Sequence, residues 1–144
     1  MSDFGEISDT DNECEPGWKY LSNTNKCYKL ISDKMPWRKA LKSCESASKN
    51  PSSTLASIPD KATNVFLGNL TWDLFWTGGH QNSDEDWVWT DGSPWTGFTN
   101  WGKDQPDNWK DNEHYLESNF AYYPGVWNDV HEDIKRVSVC QYDN

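Results

Sequence analysis

"GWKYLSNTNKCYKLI", residues 17–31, carries the first regular pattern from which the fold class can be predicted. Two short segments of alternating apolar residues flank a Ser-Asn-Thr-Asn turn, which is the pattern of a β-hairpin. The period then changes beside Pro36, because four residues share one helical face: Trp37, Ala40, Leu41 and Cys44. The chain is therefore predicted to place a hairpin before its first helix.

The rest of the chain continues this order. A second helix is predicted with Asp60 as its N-cap and four residues facing inward: Ala62, Val65, Phe66 and Leu70. Short strand patterns follow in "LFWTG", "DWVWTDGS", "VWNDV" and "RVSVCQY". A hairpin, two helices and then several antiparallel strands predict an α+β fold.

Two segments lack a regular pattern. Residues 1–13 are polar and acidic, and we expect a flexible N-terminal segment that precedes one domain at 14–144. Residues from about 91 to 125 show little periodicity, and a loop of that length in a compact domain is functional, disordered or wrongly assigned. The tryptophans of this second segment argue against disorder.

Composition excludes several classes of partner. The chain has 144 residues and a formal net charge of −10, so it lacks the basic surface that nucleic acid or an anionic membrane requires. No run of about 18 apolar residues is present, so we expect no membrane insertion. The N-terminus has neither the basic start nor the apolar segment of a signal peptide. Phosphate-cradle, nucleophile-elbow and H-E-x-x-H motifs are also missing, so the sequence gives no support for those three kinds of site.

Four cysteines are spread widely along the chain: Cys14, Cys27, Cys44 and Cys140. Their even number predicts two disulfides and an extracellular, secreted protein, whereas four reduced thiols in the cytosol are the alternative. Arithmetic alone permits three pairings. A glycosylation sequon at Asn69 is usable only in a eukaryotic secretory route.

"QPDNWKDNEHY", residues 105–115, gathers carboxylates, amides and aromatic rings, and "VWNDV" at 126–130 adds more oxygen donors. Such a stretch is either a solvated acidic loop or a binding site. The carboxylates at 84–86, by contrast, are interpreted as a solvated turn, and His80 and His131 as ordinary surface histidines.

These stretches complete a series that resembles the C-type lectin-like domain over about residues 14–142. The matching pieces, in order, are "CEPGW", "CYKL", Trp37-x-x-Ala40 to Cys44, "LASI", "WTGG", "WVWTDGS", "FTNW", "QPD", "WND" and "VSVC". The resemblance implies two helices packed on two small antiparallel sheets, with a long irregular loop region over one end. It also implies the disulfides Cys14–Cys27 and Cys44–Cys140.

The resemblance further implies a Ca²⁺ site with five side-chain ligands: Gln105, Asp107, Glu113, Asn128 and Asp129. Calcium accepts six to eight oxygens, so positions remain for two vicinal sugar hydroxyls. In this family Q-P-D accompanies galactose or N-acetylgalactosamine, and Pro106 is expected to follow a cis bond. Trp109 is the expected stacking platform for the sugar, with His114 as a further contact beside Gln105, Asp107, Glu113 and Asn128.

The chain departs from the family pattern in three places. Tyr115 and Glu132 occupy positions where a further disulfide is usual, so the calcium loops are expected to be less constrained. An accessory calcium site looks weak, because Gln81 and Asn108 stand where acidic residues are expected, although Asp84 and Glu85 are near. No glycine-rich insert precedes Glu113, so the orientation of Trp109 must be fixed in another way.

The sequence therefore predicts a non-catalytic, calcium-dependent lectin for galactose or N-acetylgalactosamine, for which a non-covalent homo-oligomer would provide avidity. Two alternatives belong to other classes. One is a protein-binding or ice-binding member of the same fold, which often loses the calcium ligands. The other is a glycosidase, which needs a paired acid and nucleophile or base.

Overall fold

The computed structural model describes residues 14–144, and the predicted flexible segment 1–13 lies outside them. Within these described residues, two helices and eight strands follow one another. In order they are β1 (Lys19–Leu21), β2 (Lys26–Met35), α1 (Trp37–Glu45), β3 (Thr54–Leu55), α2 (Lys61–Gly68), β4 (Phe75–Gln81), β5 (Trp87–Trp89), β6 (Tyr115–Ser118), β7 (Asn128–Val130) and β8 (Arg136–Asp143). The α+β fold class is confirmed.

The strands form one continuous sheet, where the sequence predicted two small ones. Its order is β1-β2-β8-β4-β6-β7, with β3 paired to β8 and β5 paired to β4. The join is a parallel pairing of β4 with β8, in which Phe75 and Trp76 lie opposite Val137 and Ser138. This pairing gives partners to backbone groups in the buried centre, where Trp76 belongs to one cluster of buried side chains and Phe75 to a second one.

Helix α1 has the predicted buried face. Trp37, Ala40 and Cys44 are buried, and the Trp37 indole Nε1 donates to Thr77 O at 2.9 Å. The predicted disulfides are both present: Cys44–Cys140 joins this helix to β8, and Cys14–Cys27 closes the N-terminal hairpin. The helix is therefore fixed to the sheet by packing, a hydrogen bond and a covalent link.

Helix α2 begins at the predicted N-cap, since the Asp60 side chain accepts from Thr63 N, but its predicted inward face is wrong. Ala62 and Val65 are exposed, Phe66 and Leu70 are half-buried, and the buried residues are Thr63, Asn64, Leu67 and Gly68. The polar Asn64 is inside because it accepts from the Trp127 indole and donates to Gly125 O. Gly68 approaches the Gly125 backbone so closely that a Cβ would lie 2.8 Å from Gly125 N.

The irregular segment after β5 is held by aromatic packing. Trp127 is buried, and four rings surround it with centroids 5.7–6.1 Å away: Trp89, Trp95, Phe98 and Trp101. Trp87 and Trp101 are only half-buried and pack at the edge of this cluster. The segment also contains β6, which the sequence did not predict. Its aromatic side chains thus connect it to the core.

The place of the absent disulfide is filled by the start of α1. The Tyr115 ring packs on Trp37 with centroids 4.5 Å apart, and Trp37 N donates to Glu132 O at 2.9 Å. Arg38 reaches both positions, with Nη2 3.5 Å from the Tyr115 hydroxyl and Nε 3.9 Å from the Glu132 carboxylate. Non-covalent contacts with one helix therefore link the two segments that a disulfide would join.

Candidate functional site

Three carboxylates meet at the end of β7. Asp107, Glu113 and Asp129 each contribute an oxygen, and these oxygens lie within 4.8 Å of one another. Within residues 14–144 this is the only group of three or more acidic, histidine or cysteine side chains with such spacing. The Gln105–Pro106 peptide bond beside it is cis, as the resemblance implied. The cluster unites side chains from the two separate stretches singled out in the sequence.

Asp129 organises the loop from the core side. It is fully buried on β7, and its carboxylate accepts from Asp107 N at 3.2 Å and from Asn108 N at 2.7 Å. The Asn108 side chain in turn accepts from Glu113 N at 3.2 Å, which spans the bend of the loop. One buried carboxylate thus positions the backbone that carries the other two.

The Gln105 amide lies among the remaining oxygens. Its inward atom is 2.9 Å from Asn128 Oδ1, 3.0 Å from Asp129 Oδ1 and 3.2 Å from Asp107 Oδ1. All three neighbours are acceptors, so with protein groups alone the amide nitrogen faces them and donates. A cation among these oxygens favours the opposite orientation, with Gln105 Oε1 inward. The group therefore offers five oxygen-bearing side chains to one point.

The carboxylates destabilise one another's charged forms. Partial burial, a hydrogen bond with Asp107 and the charges of Asp129 and Asp107 raise the pKa of Glu113 to about 7, although the Trp109 N–H opposes this. Burial and the charge of Asp107 also raise the pKa of Asp129, against hydrogen bonds from backbone N–H groups. Because a cation would stabilise all the charged forms at once, the electrostatics favour cation binding.

Glu117 and Arg136 support the cluster from the side, and sequence reasoning missed both. The Glu117 carboxylate is 2% exposed and accepts from Arg136 Nε at 2.7 Å and from Asn128 Nδ2 at 2.9 Å. Since Nδ2 is held by Glu117, Asn128 Oδ1 points toward the Gln105 amide. No local pattern marks Glu117, because Leu116, Glu117 and Ser118 are buried in succession along β6.

Trp109 is 62% exposed, so it lies outside the core. Its backbone N–H donates to Glu113 Oε1 at 3.1 Å, and Lys110 Nζ lies 4.5 Å from the centre of its ring. The flanking Asn108 and Lys110 have left-handed backbone conformations, with φ of 47° and 57°. These contacts supply the orientation that a glycine-rich insert would otherwise provide, and they leave the ring accessible beside the carboxylates.

His114 and the residues of the accessory site are placed differently. The His114 Nδ1 lies 2.8 Å from Gln81 Oε1, and Gln81 Nε2 donates to Glu85 O, so these side chains bind one another. Asp84 and Glu85 are exposed in a turn, as predicted for a solvated segment. The structure therefore gives His114 a protein partner, and its contact with a sugar stays a prediction.

The donor set fits calcium. Calcium prefers carboxylate and amide oxygens and tolerates irregular geometry, and all five side chains supply such oxygens. Nitrogen and sulfur ligands, which zinc prefers, do not belong to the group. The excess negative charge and the raised pKa of Glu113 are what a divalent cation would offset.

Comparisons with known proteins agree with this fold. The family model described as "Lectin C-type domain" matches residues 33–142. A lectin from Pleurodeles waltl is 34% identical over 137 residues, covering 90% of this chain and 76% of that protein. The C-type lectin lectoxin-Lio3 of Erythrolamprus poecilogyrus is 34% identical over 134 residues, covering 89% and 80%.

Solved structures give the same result. The C-type lectin CEL-I from Cucumaria echinata aligns with a TM-score of 0.80 at 28% identity, covering 90% of this chain and 97% of that chain. A calcium-independent type II antifreeze protein aligns with a TM-score of 0.79 at 21% identity, which shows a shared fold only. Domains of this family typically bind Ca²⁺ and are in general binding proteins without enzymatic activity. The chain belongs to the C-type lectin domain family.

Proposed function

We propose that the protein binds terminal galactose or N-acetylgalactosamine through a calcium ion held by Gln105, Asp107, Glu113, Asn128 and Asp129. The observation that carries the proposal is the convergence of these five side chains, with three carboxylate oxygens within 4.8 Å of one another. A cluster that could hold a metal ion, on a C-type lectin domain, supports the proposal of carbohydrate binding. A scattered set of surface acids would not converge in this way.

The bound calcium would supply open coordination positions for two vicinal sugar hydroxyls. Amide N–H groups of Gln105 and Asn128 can donate to these hydroxyls, and the carboxylates of Asp107 and Glu113 can accept from them. The order of amide and acid around Pro106 then sets which pair of hydroxyls is satisfied. Three carboxylates against one divalent ion suit an extracellular module with a dissociation constant of about 10⁻⁴ to 10⁻³ M.

Trp109 would contribute the contact that favours galactose. An axial 4-hydroxyl leaves one face of galactose as a continuous patch of C–H groups, which can pack on the indole face. The high exposure of Trp109 and its hydrogen bond to Glu113 support this role, because the ring is accessible and tied to a proposed calcium ligand. Lys110 stands over the ring and would steady it during stacking.

The two disulfides support a secreted protein, since such links persist in oxidising compartments. No helix described between residues 14 and 144 has the length and apolar character needed to cross a bilayer. All four cysteines are used within the chain, so a homo-oligomer would be non-covalent. Weak binding at one site would make such an assembly useful for avidity.

Retention on galactose–agarose tests the proposal. We expect retention in calcium, release by EDTA, and no retention of Asp129→Asn in a protein that remains folded. The double variant Gln105→Glu with Asp107→Asn should shift preference on a glycan array from galactose toward mannose. Equal retention with EDTA would contradict the proposal. Absence of retention would favour a protein-binding or ice-binding role for the same fold.

A further inference from the structure

A cleft of about 680 Å³ opens directly beside the proposed calcium site. Three of its lining residues, Trp109, Glu113 and Asn128, also belong to that site. The volume lies within the range of about 300–1,000 Å³ that is usual for small-molecule sites. The calcium site and the cleft are therefore one continuous surface, and a ligand held at the first can extend into the second.

The walls of the cleft are mainly apolar. They include Leu74, Phe120, Tyr122, Val130 and Ile134. Tyr122 is 68% exposed and Ile134 is 39% exposed, although both are large hydrophobic residues. Apolar side chains that gather around one concave surface usually mark a binding site, whereas singly scattered ones do not.

Four charged residues line the cleft: Lys110, Glu113, Glu117 and Arg136. Lys110 lies over the Trp109 ring and Glu113 belongs to the proposed calcium site, whereas Glu117 and Arg136 are paired with each other at 2.7 Å and Glu117 also accepts from Asn128. A charged ligand would have to break this pairing before it could bind there, which is costly for a buried carboxylate. The cleft is therefore suited to an uncharged, apolar group lying above a satisfied ion pair.

The part of the cleft that contains Tyr122 has an unusual backbone conformation. Ala121 and Tyr122 have φ values of 56° and 64°, which cost energy in residues with a Cβ and persist only where the surroundings enforce them. Asn119 anchors the turn that contains them, since Tyr122 N donates to the Asn119 carbonyl at 2.8 Å. Asn119 is buried, its Nδ2 donates to the carbonyls of Gly68, Thr71 and Asp73, and its Oδ1 accepts from Gly125 N.

We propose that the cleft binds the alkyl aglycone of a galactoside whose sugar is held at the calcium ion, so that the preferred ligand resembles a glycolipid. The inference rests on the proposed function, because the calcium-bound sugar places its alkyl aglycone beside the cleft. Trp109, Glu113 and Asn128 connect the calcium site to the cleft, so a group attached to the sugar can enter it. The apolar side chains of the cleft favour an apolar group there. An alkyl chain that binds in the cleft is removed from water, and it displaces none of the hydrogen bonds described above.

The test compares hexyl β-galactoside with methyl β-galactoside by calorimetry in calcium. Each methylene removed from water strengthens binding about fourfold, so burial of two of the five additional methylenes gives an advantage of about tenfold or more. Tyr122→Asn should reduce this advantage to below about threefold and leave methyl galactoside unchanged. Asparagine is used because it tolerates a left-handed backbone.

Tyr123→Asn is the matched control, since Tyr123 is 67% exposed, adjacent in sequence, and absent from the cleft lining. It should keep the full hexyl advantage. Equal affinities of the two galactosides for the unaltered protein would overturn the cleft assignment while calcium-dependent galactose binding stands. A hexyl advantage that survives Tyr122→Asn, or that persists in EDTA, would also overturn it. If neither galactoside binds in calcium, the proposed function fails as well.

Discussion

Replacement of Arg136 by methionine should separate folding stability from calcium binding. Arg136 neutralises the Glu117 carboxylate, which is 2% exposed, whereas the Arg136 side chain itself is 30% exposed. Breaking one side of a buried ion pair costs about 3–5 kcal/mol. Solvent around Arg136 and the remaining Asn128 hydrogen bond reduce this, so we expect a loss of about 2–3 kcal/mol in the free energy of unfolding.

Calcium affinity should respond differently. In Arg136→Met the Asn128–Glu117 hydrogen bond remains, so the calcium dissociation constant should stay within about threefold of its original value. The double variant Glu117→Met with Arg136→Met replaces both charges with apolar groups, which often restores stability to within about 1 kcal/mol. It removes the acceptor of Asn128, however, and loss of such a supporting contact weakens metal binding about 10- to 100-fold.

Urea unfolding in EDTA measures the stability of each variant without contribution from bound metal, and calorimetric titration measures the calcium affinity. Arg136→Met should therefore lose stability and keep its calcium affinity, whereas the double variant should keep its stability and lose calcium affinity. Full calcium affinity in the double variant would show that Glu117 does not position Asn128. A loss below about 1 kcal/mol in Arg136→Met would show that the buried carboxylate does not need its partner.

Three further changes have defined outcomes. Calcium affinity should fall about tenfold per pH unit between pH 7 and 5, because calcium must displace the proton that Glu113 carries below its pKa of about 7. Calorimetric titration at pH 6 in two buffers of different ionisation enthalpy should show nearly one proton released per calcium bound. The same raised pKa means that the calcium-free protein should gain stability as pH falls from 8 toward 6, and a fall instead would contradict the assignment. Trp109→Ala should weaken galactose about tenfold in a calorimetric titration and leave calcium affinity unchanged, and loss of both would identify a structural role. Gly68→Ala should destabilise the fold by about 1–3 kcal/mol in urea, since its Cβ would meet the Gly125 backbone, whereas Gly97→Ala, with open space around it, should be nearly neutral.

Much of the fold was predictable, because periodicity and cysteine number are local signals. The hairpin, α1 and the start of α2 follow from alternation, helical spacing and the Asp60 cap. The inward face of α2 was not predictable in this way. Asn64 is buried by a hydrogen bond to Trp127, which lies far along the chain, and hydrophobicity carries no information about such a partner.

The candidate site, like the fold, could be predicted from the sequence only in part. Its five oxygen-bearing side chains were identified from short motifs, and the structure brings them to one point. The roles of Glu117 and Lys110 were not evident, since each depends on a neighbour fixed by tertiary packing: Glu117 on Arg136, and Lys110 on the Trp109 ring. The parallel pairing of β4 with β8 is likewise a long-range contact that no local pattern encodes.

A crystal structure of the protein with calcium and galactose, with anomalous scattering used to locate the ion, tests the central claim most directly. We expect one calcium bound by five side chains, with two vicinal galactose hydroxyls completing its coordination and the sugar packed on Trp109. The five ligands are Gln105, Asp107, Glu113, Asn128 and Asp129. Galactose bound without contact to calcium, or calcium bound away from these five side chains, would contradict the claim.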